Sequence, residues 1–187
     1  MGIFDKLKRK NTQQQSEEHL DNDLLEIVKI VSFGDTEIMK LARQCVENIA
    51  GYYNAHVDDY QARCLSDKEK TSFLQWIGCI DLLMNNNYVC ECDWKEAREE
   101  FVYAISSLQG ISTLPLELDS KWFDEKQSVP QWCETLDEKW KNLNRVIAAF
   151  DIDSDSYVMF PCKKDEIETL SRLAEHFGYR IDYAKNM

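Results

Sequence analysis

The sequence predicts an α+β fold, with a mainly helical N-terminal part packed against a small C-terminal β-β-α-β unit. Three observations carry that expectation. Apolar residues recur at i, i+3, i+4 and i+7 through much of residues 23–142, the spacing of a helix face turned to a core. The last 45 residues change to β-branched and aromatic runs broken by an Asp-Ser turn, which reads as strands. The 187 residues, 44% hydrophobic and 30% charged, suit one domain able to bury a sizeable core. Six Gly and three Pro exclude collagen-like, Pro-rich and wholly disordered chains.

Residues 1–22 are expected to lie outside this domain, which would span residues 23–187. Ile3, Phe4 and Leu7 fall on one face of a short helix, with Lys6, Lys8, Arg9 and Lys10 around it. Such a segment could make weak peripheral contact with an anionic membrane, although a frayed terminus is the plainer reading. The myristoylation pattern is not met, because position 6 is Lys6. Residues 11–22 are polar and aperiodic, as in a linker.

Asp23 is placed to cap a first helix carrying Leu24, Leu25, Ile27, Val28, Ile30 and Val31, which stops near Phe33-Gly34. Asp35 or Thr36 opens a second, with Ile38, Leu41, Cys45, Val46, Ile49 and Tyr52 on one face. Ser66 and Glu69 have capping-box spacing ahead of a helix bearing Phe73, Trp76, Ile77, Ile80, Leu83 and Met84, ended by Asn85-Asn86-Asn87. Asp93 reads as the next cap, with Ala97, Phe101, Ala104, Ile105 and Leu108 inward and Gly110 as the stop. Residues 111–129 are irregular; Pro130 suits a first helical position, and Trp132, Leu136 and Trp140 mark a short helix.

In residues 143–187, Arg145 to Ile152 is a strand, Asp153-Ser154-Asp155 a turn, and Tyr157 to Phe160 a second strand ended by Pro161. Lys163 to Phe177 is a helix with Ile167, Leu170, Leu173, Ala174 and Phe177 inward, stopped by Gly178; Tyr179 to Tyr183 is a third strand. Three strands rarely stand alone, so the unit is expected to pack on the helices.

The net charge is −12. Residues 1–10 hold four basic side chains and one acidic, or +3, which leaves −15 on the other 177 residues. A body this acidic repels phosphate backbones, so nucleic acid is not an expected partner; a basic protein is a possible one. The seven cysteines are an odd number and several sit at apolar helical positions, where Cys acts as a small hydrophobe. With Ile3-Phe4 too short for a secretory apolar region, this fits a reducing cytoplasm. No apolar run approaches the ~18–20 residues of a membrane-spanning helix.

Three stretches carry a family resemblance: WIGCIDLLMNNNYVCECDWKE (Trp76 to Glu96), the LPLE, KWFDE and PQWC segments between Leu114 and Cys133, and AAFDIDSDSYVMFPCKKDEIETLSRLAEHFGYRIDYAKNM with its DIDSDSY hairpin. In these the chain resembles a group of small bacterial proteins known only as a domain of unknown function. The resemblance covers most of residues 24–187. It implies one continuous bacterial cytosolic domain and brings no catalytic residue, metal or cofactor with it.

The most suggestive constellation is Asp151-Ile152-Asp153-Ser154-Asp155. Alternate carboxylates on an extended chain could hold Mg²⁺ or Ca²⁺ and serve an enzyme. The calcium-loop pattern fails, since Ser156 and Cys162 stand where Gly and Glu belong. The commoner use of these residues is a turn in which Asp and Ser side chains bond local amides. Cys90 and Cys92 lack a second pair for zinc; Cys92 before a helix start could be reactive, but core burial is the ordinary fate. His19, His56 and His176 are the only histidines, and a Cys162–His176 nucleophile pair would need an adjacency that spacing does not supply. The irregular segment holding Trp122, Phe123 and Asp124 offers aromatics among acids, either as an anchor for a partner or as a clasp over the helices.

The leading expectation is therefore a non-enzymatic cytoplasmic interaction protein, of a regulatory or toxin-neutralising kind, with no catalytic residue, metal or cofactor. It would bind a basic partner protein through Trp122, Phe123 and Asp124 and through Asp151, Asp153 and Asp155. A metal-dependent enzyme built on the hairpin carboxylates is the alternative, and membrane attachment through residues 1–10 a third.

Overall fold

Two unbroken apolar runs, RVIAAF and YVMFPC, form the centre of the sheet because both of its faces are covered. The structure is a computed structural model and describes residues 20–187. Strands β1 (Cys90–Asp93), β2 (Arg145–Phe150), β3 (Ser156–Lys163) and β4 (Ile181–Tyr183) make one antiparallel sheet in the order β1-β3-β2-β4. Val146, Ala148, Phe150, Val158 and Phe160 face a core built with helices α1 (residues 20–31), α2 (Thr36–Glu47), α3 (Ile49–Ala55), α4 (Val57–Ala62), α5 (Thr71–Asn85) and α9 (Ile167–Phe177). Ile147, Ala149, Met159, Cys90 and Cys92 face a second core with α6 (Arg98–Ser106), α8 (Val129–Trp140) and the segment between them, which includes the short α7 (Gln109–Thr113). The fold is α+β: helices in two layers with the sheet between them.

The sheet has a strand more than the sequence predicts. Residues 90–93 are β1, not the approach to a helix capped by Asp93. Asp93 instead shapes a turn, accepting the Lys95 N–H at 2.8 Å, and α6 begins only after Ala97. The β-β-α-β unit thus takes its edge strand from the helical part. Arg63 reinforces this junction, donating to Asp81 of α5 at 2.8 Å and to Glu91 of β1 at 2.9 Å.

Pro161 lies inside β3 and does not end it. Ile147, opposite Pro161, gives its N–H to the Asp137 carboxylate at 2.9 Å, on the side away from β3. The two therefore form a non-hydrogen-bonded pair, and the Pro161 nitrogen points past the last β1 pair, Cys90↔Met159. No ladder bond is lost where the strand is locally an edge. Gly110 packs there, inside α7 rather than ending a helix; a Cβ on it would collide with the Pro161 ring. Asp137 is buried and also meets Lys185 Nζ at 3.0 Å. Burial pushes its carboxyl up, against the Ile147 amide and Lys185.

Other boundaries move for local reasons. The expected linker overlaps α1, which is already helical at residues 20–22, so Asp23 is inside the helix and meets His176 Nδ1 at 3.1 Å rather than capping. The expected second helix breaks at Asn48, whose Oδ1 accepts the Gly51 N–H and starts α3. Lys70, not Ser66, precedes α5. Pro130 is the second residue of α8, whose start is held by Gln131 Oε1 accepting the Ser128 N–H at 2.9 Å. Phe33-Gly34, Asp35, the Asn86-Asn87 end and Gly178 act as expected: Asp35 caps α2 through the Glu37 and Ile38 amides, and Gly178 closes α9 with φ +92°.

Residues 1–10, the proposed membrane-touching segment, lie outside the described residues. Among the described residues no helix is long and apolar enough to cross a membrane.

Candidate functional site

All four strands send an end to one edge of the molecule, and the register decides which residues meet there. The last β1–β3 pair is Asp93↔Ser156, and the next residues out are Trp94 and Asp155. The last β2–β4 pair is Phe150↔Ile181, so Asp151 and Arg180 are opposed; the Asp151 N–H donates to the Arg180 carbonyl at 2.9 Å. The last β2–β3 pair is Phe150↔Val158, which sets Asp151 and Arg180 level with Tyr157, two residues inward of Trp94 and Asp155; all four line a groove of about 390 Å³ with Tyr157 and Met187.

The hairpin between β2 and β3 is held by its own side chains. Asp151 Oδ1 accepts the Asp153 N–H at 2.9 Å, Asp153 takes φ +57°, and Ser154 Oγ accepts the Ser156 N–H at 3.1 Å. This is local amide bonding that favours Asp and Ser in turns. Beneath it, Trp76 Nε1 donates to the Asp151 carbonyl at 3.0 Å, and its ring stacks on Tyr179 with centroids 4.8 Å apart. The hairpin base is therefore fixed to the first core. Asp153 and Asp155 project into solvent, and among the described residues neither carboxylate has a hydrogen bond or ion pair.

Arg180 is already engaged. Its Nη2 donates to Asp182 Oδ2 at 2.7 Å and to the Asn186 carbonyl at 3.0 Å. Burial raises the Asp182 carboxyl, but Arg180, the Tyr183 amide and Asn186 together hold it below the usual range. Trp94 is 50% exposed, unusual for so large an apolar group. Lys95 Nζ lies 4.2 Å from its ring centroid, within cation–π range. On the far side of the hairpin a second groove, of about 610 Å³, is lined by Glu69, Phe73, Ile152, Asp153, Tyr179 and Arg180, among others.

The second predicted locus lies elsewhere. Trp122 ends a 3-10 turn (Ser120–Trp122), half-buried with Lys139 Nζ 5.0 Å from its ring centroid. Phe123 is 3% exposed and meets Phe101 edge-on at 5.4 Å. Asp124 Oδ1 accepts the Lys126 N–H at 2.9 Å, and its carbonyl accepts Trp132 Nε1 at 2.8 Å. None of the three lines the grooves beside Asp151, Asp153 and Asp155. The structure thus brings together the three hairpin aspartates and separates them from the Trp122 segment. Sequence reasoning missed Trp94 and Arg180; the in-out alternation of Cys90, Glu91, Cys92 and Asp93 after three asparagines was the available signal for β1, and hence for Trp94.

Cys90 and Cys92 point into the second core, and Cys133 joins them there. The neighbouring Cys92 thiol and burial push the Cys90 thiol well up; burial alone is the leading cause for Cys133 and Cys162, the opposite of activation. His176 pairs with Asp23. The polar cluster of Tyr52, His56, Asp59 and Asp81 surrounds a dent of about 10 Å³, room for roughly one water. Among the described residues no three His, Cys, Asp or Glu side chains are grouped to hold a metal ion.

No curated protein and no solved structure matches the chain. The family described as Domain of unknown function (DUF6630) matches it over residues 23–184, from within α1 through β4 and including Trp94, Asp151, Asp155 and Arg180, and the chain belongs to that family.

Proposed function

We propose that the protein is a non-enzymatic interaction protein that docks a basic partner at the sheet end. The observation that carries this reading is Trp94, half exposed on the wall of a groove whose other members include Asp151 and Asp155, on a chain of net charge −12. An exposed aromatic beside carboxylates supplies what a docking site needs: apolar area to bury and charge to steer a cationic partner. Catalysis by hairpin carboxylates and a metal is the weaker reading, because among the described residues Asp151, Asp153 and Asp155 do not form a group of three placed to hold an ion. A regulatory or neutralising role would follow from what the partner does.

Affinity capture at low salt, with retained proteins identified and re-tested in purified form, examines this reading. A basic protein bound by the native chain and lost with the W94A/D155N double variant is the expected result. An empty column, or equal capture by both, contradicts it. Heat released on titration with Mg²⁺, Mn²⁺ or Ca²⁺, abolished by D153N/D155N, would favour the enzyme reading instead.

A further inference from the structure

We propose that the groove at the sheet end is a guanidinium pocket, in which an arginine of the basic partner stacks on Trp94 and pairs with Asp155, displacing Lys95. This rests on the docking reading above and specifies its ligand chemistry.

Trp94 directly follows the β1 pairing, and the next turn is fixed by Asp93, which accepts the Lys95 amide through its side chain and the Glu96 amide at 3.0 Å through its carbonyl. The position of the Trp94 Cα is thus set by backbone geometry, and its indole is half exposed. Lys95 shows that the ring takes a cation: its ammonium sits 4.2 Å from the centroid. That ammonium belongs to the adjacent residue and is a compact, strongly hydrated charge. A guanidinium is planar and less hydrated, so it stacks on an indole while offering a fork of donors to a carboxylate.

The carboxylate is in place. Asp155 lies one residue beyond the Asp93↔Ser156 pair and lines the same groove as Trp94; it is exposed and has no partner among the described residues. Asp151 adds a second negative charge in the same groove, while Tyr157 and Met187 supply wall for an arginine's methylene stem. Arg180 lines the same groove beside Asp151 but is held by Asp182 and the Asn186 carbonyl, so it leaves the Asp155 carboxylate open to an incoming cation.

The test is calorimetric titration of the full chain at low salt with two peptides of equal length and charge, one rich in arginine and one in lysine. The arginine peptide is expected to bind about five- to tenfold more tightly, the scale of one stacked, forked contact. W94A should bring the two within about twofold while leaving the thermal midpoint unchanged. K95Q should tighten the arginine peptide about threefold, whereas K139Q, which removes the same charge beside Trp122, should not. Equal wild-type affinity for the peptides, discrimination that survives W94A, or equal effects of K95Q and K139Q would each overturn the pocket while leaving acidic docking standing. Binding of neither peptide would overturn both.

Discussion

Asp93-Trp94-Lys95-Glu96 and Lys121-Trp122-Phe123-Asp124-Glu125 are made from nearly the same residue types, and each tryptophan has a lysine by its ring, Lys95 from its own segment and Lys139 from α8. They nevertheless do opposite things. The second carries an extra aromatic, Phe123, which enters the core against Phe101 and draws Trp122 down with it. The first has only Lys95 and Glu96 after its tryptophan, so nothing draws Trp94 inward, and it stays at the end of β1. One added apolar group separates a clasp from an open face.

The sharpest way to break this contrast is stability. F123A should cost about 3–5 kcal/mol, as for a buried phenylalanine cut to Ala, whereas W94A should stay within about 0.5 kcal/mol, as for an exposed site; urea unfolding of both compares them. Comparable losses would erase the distinction. Asp137 sharpens it, because α8 lies under the Trp122 segment and this side chain ties the helix to β2. D137A leaves the Ile147 N–H without its acceptor and should cost about 1–3 kcal/mol, while leaving peptide binding at the sheet end unchanged.

The smallest effect lies away from both segments. Asp35 accepts from the Ile38 amide, the Tyr88 hydroxyl and the Glu37 amide, and these bonds hold its carboxyl below the ordinary 3.8 despite some desolvation. A carboxyl lowered on folding adds stability above its unfolded value, and that stability is lost as pH falls through its folded value. Y88F brings the two values closer, so the acid-unfolding midpoint followed by circular dichroism should move to slightly higher pH. An unmoved or lower midpoint would show that the Tyr88 bond does not act on the carboxylate.

Much of the fold was legible because its signals are local. Asp35 capping α2, the Asn run ending α5, Gly178 ending α9 and the Asp-Ser hairpin each act within a few residues. β1 was hidden because four residues, two of them cysteines, give too short an alternation to outweigh the cap-like Asp93. Pro161 looked like a strand end because nothing nearby reveals that its nitrogen points past the edge of β1. The candidate site was half legible for the same reason. Asp151, Asp153 and Asp155 announce a turn, but Trp94 and Asp155 share a groove only through the pairing of β1 with β3, more than 60 residues apart in sequence.

The central claim is that Trp94, and not Trp122, belongs to the binding face. The chain has five tryptophans, hence five indole N–H signals in a ¹⁵N–¹H correlation spectrum, assignable by single substitution. Titration with the arginine-rich peptide should shift the Trp94 signal progressively and leave the Trp122 signal in place. Movement of the Trp122 signal with Trp94 unmoved would contradict the account.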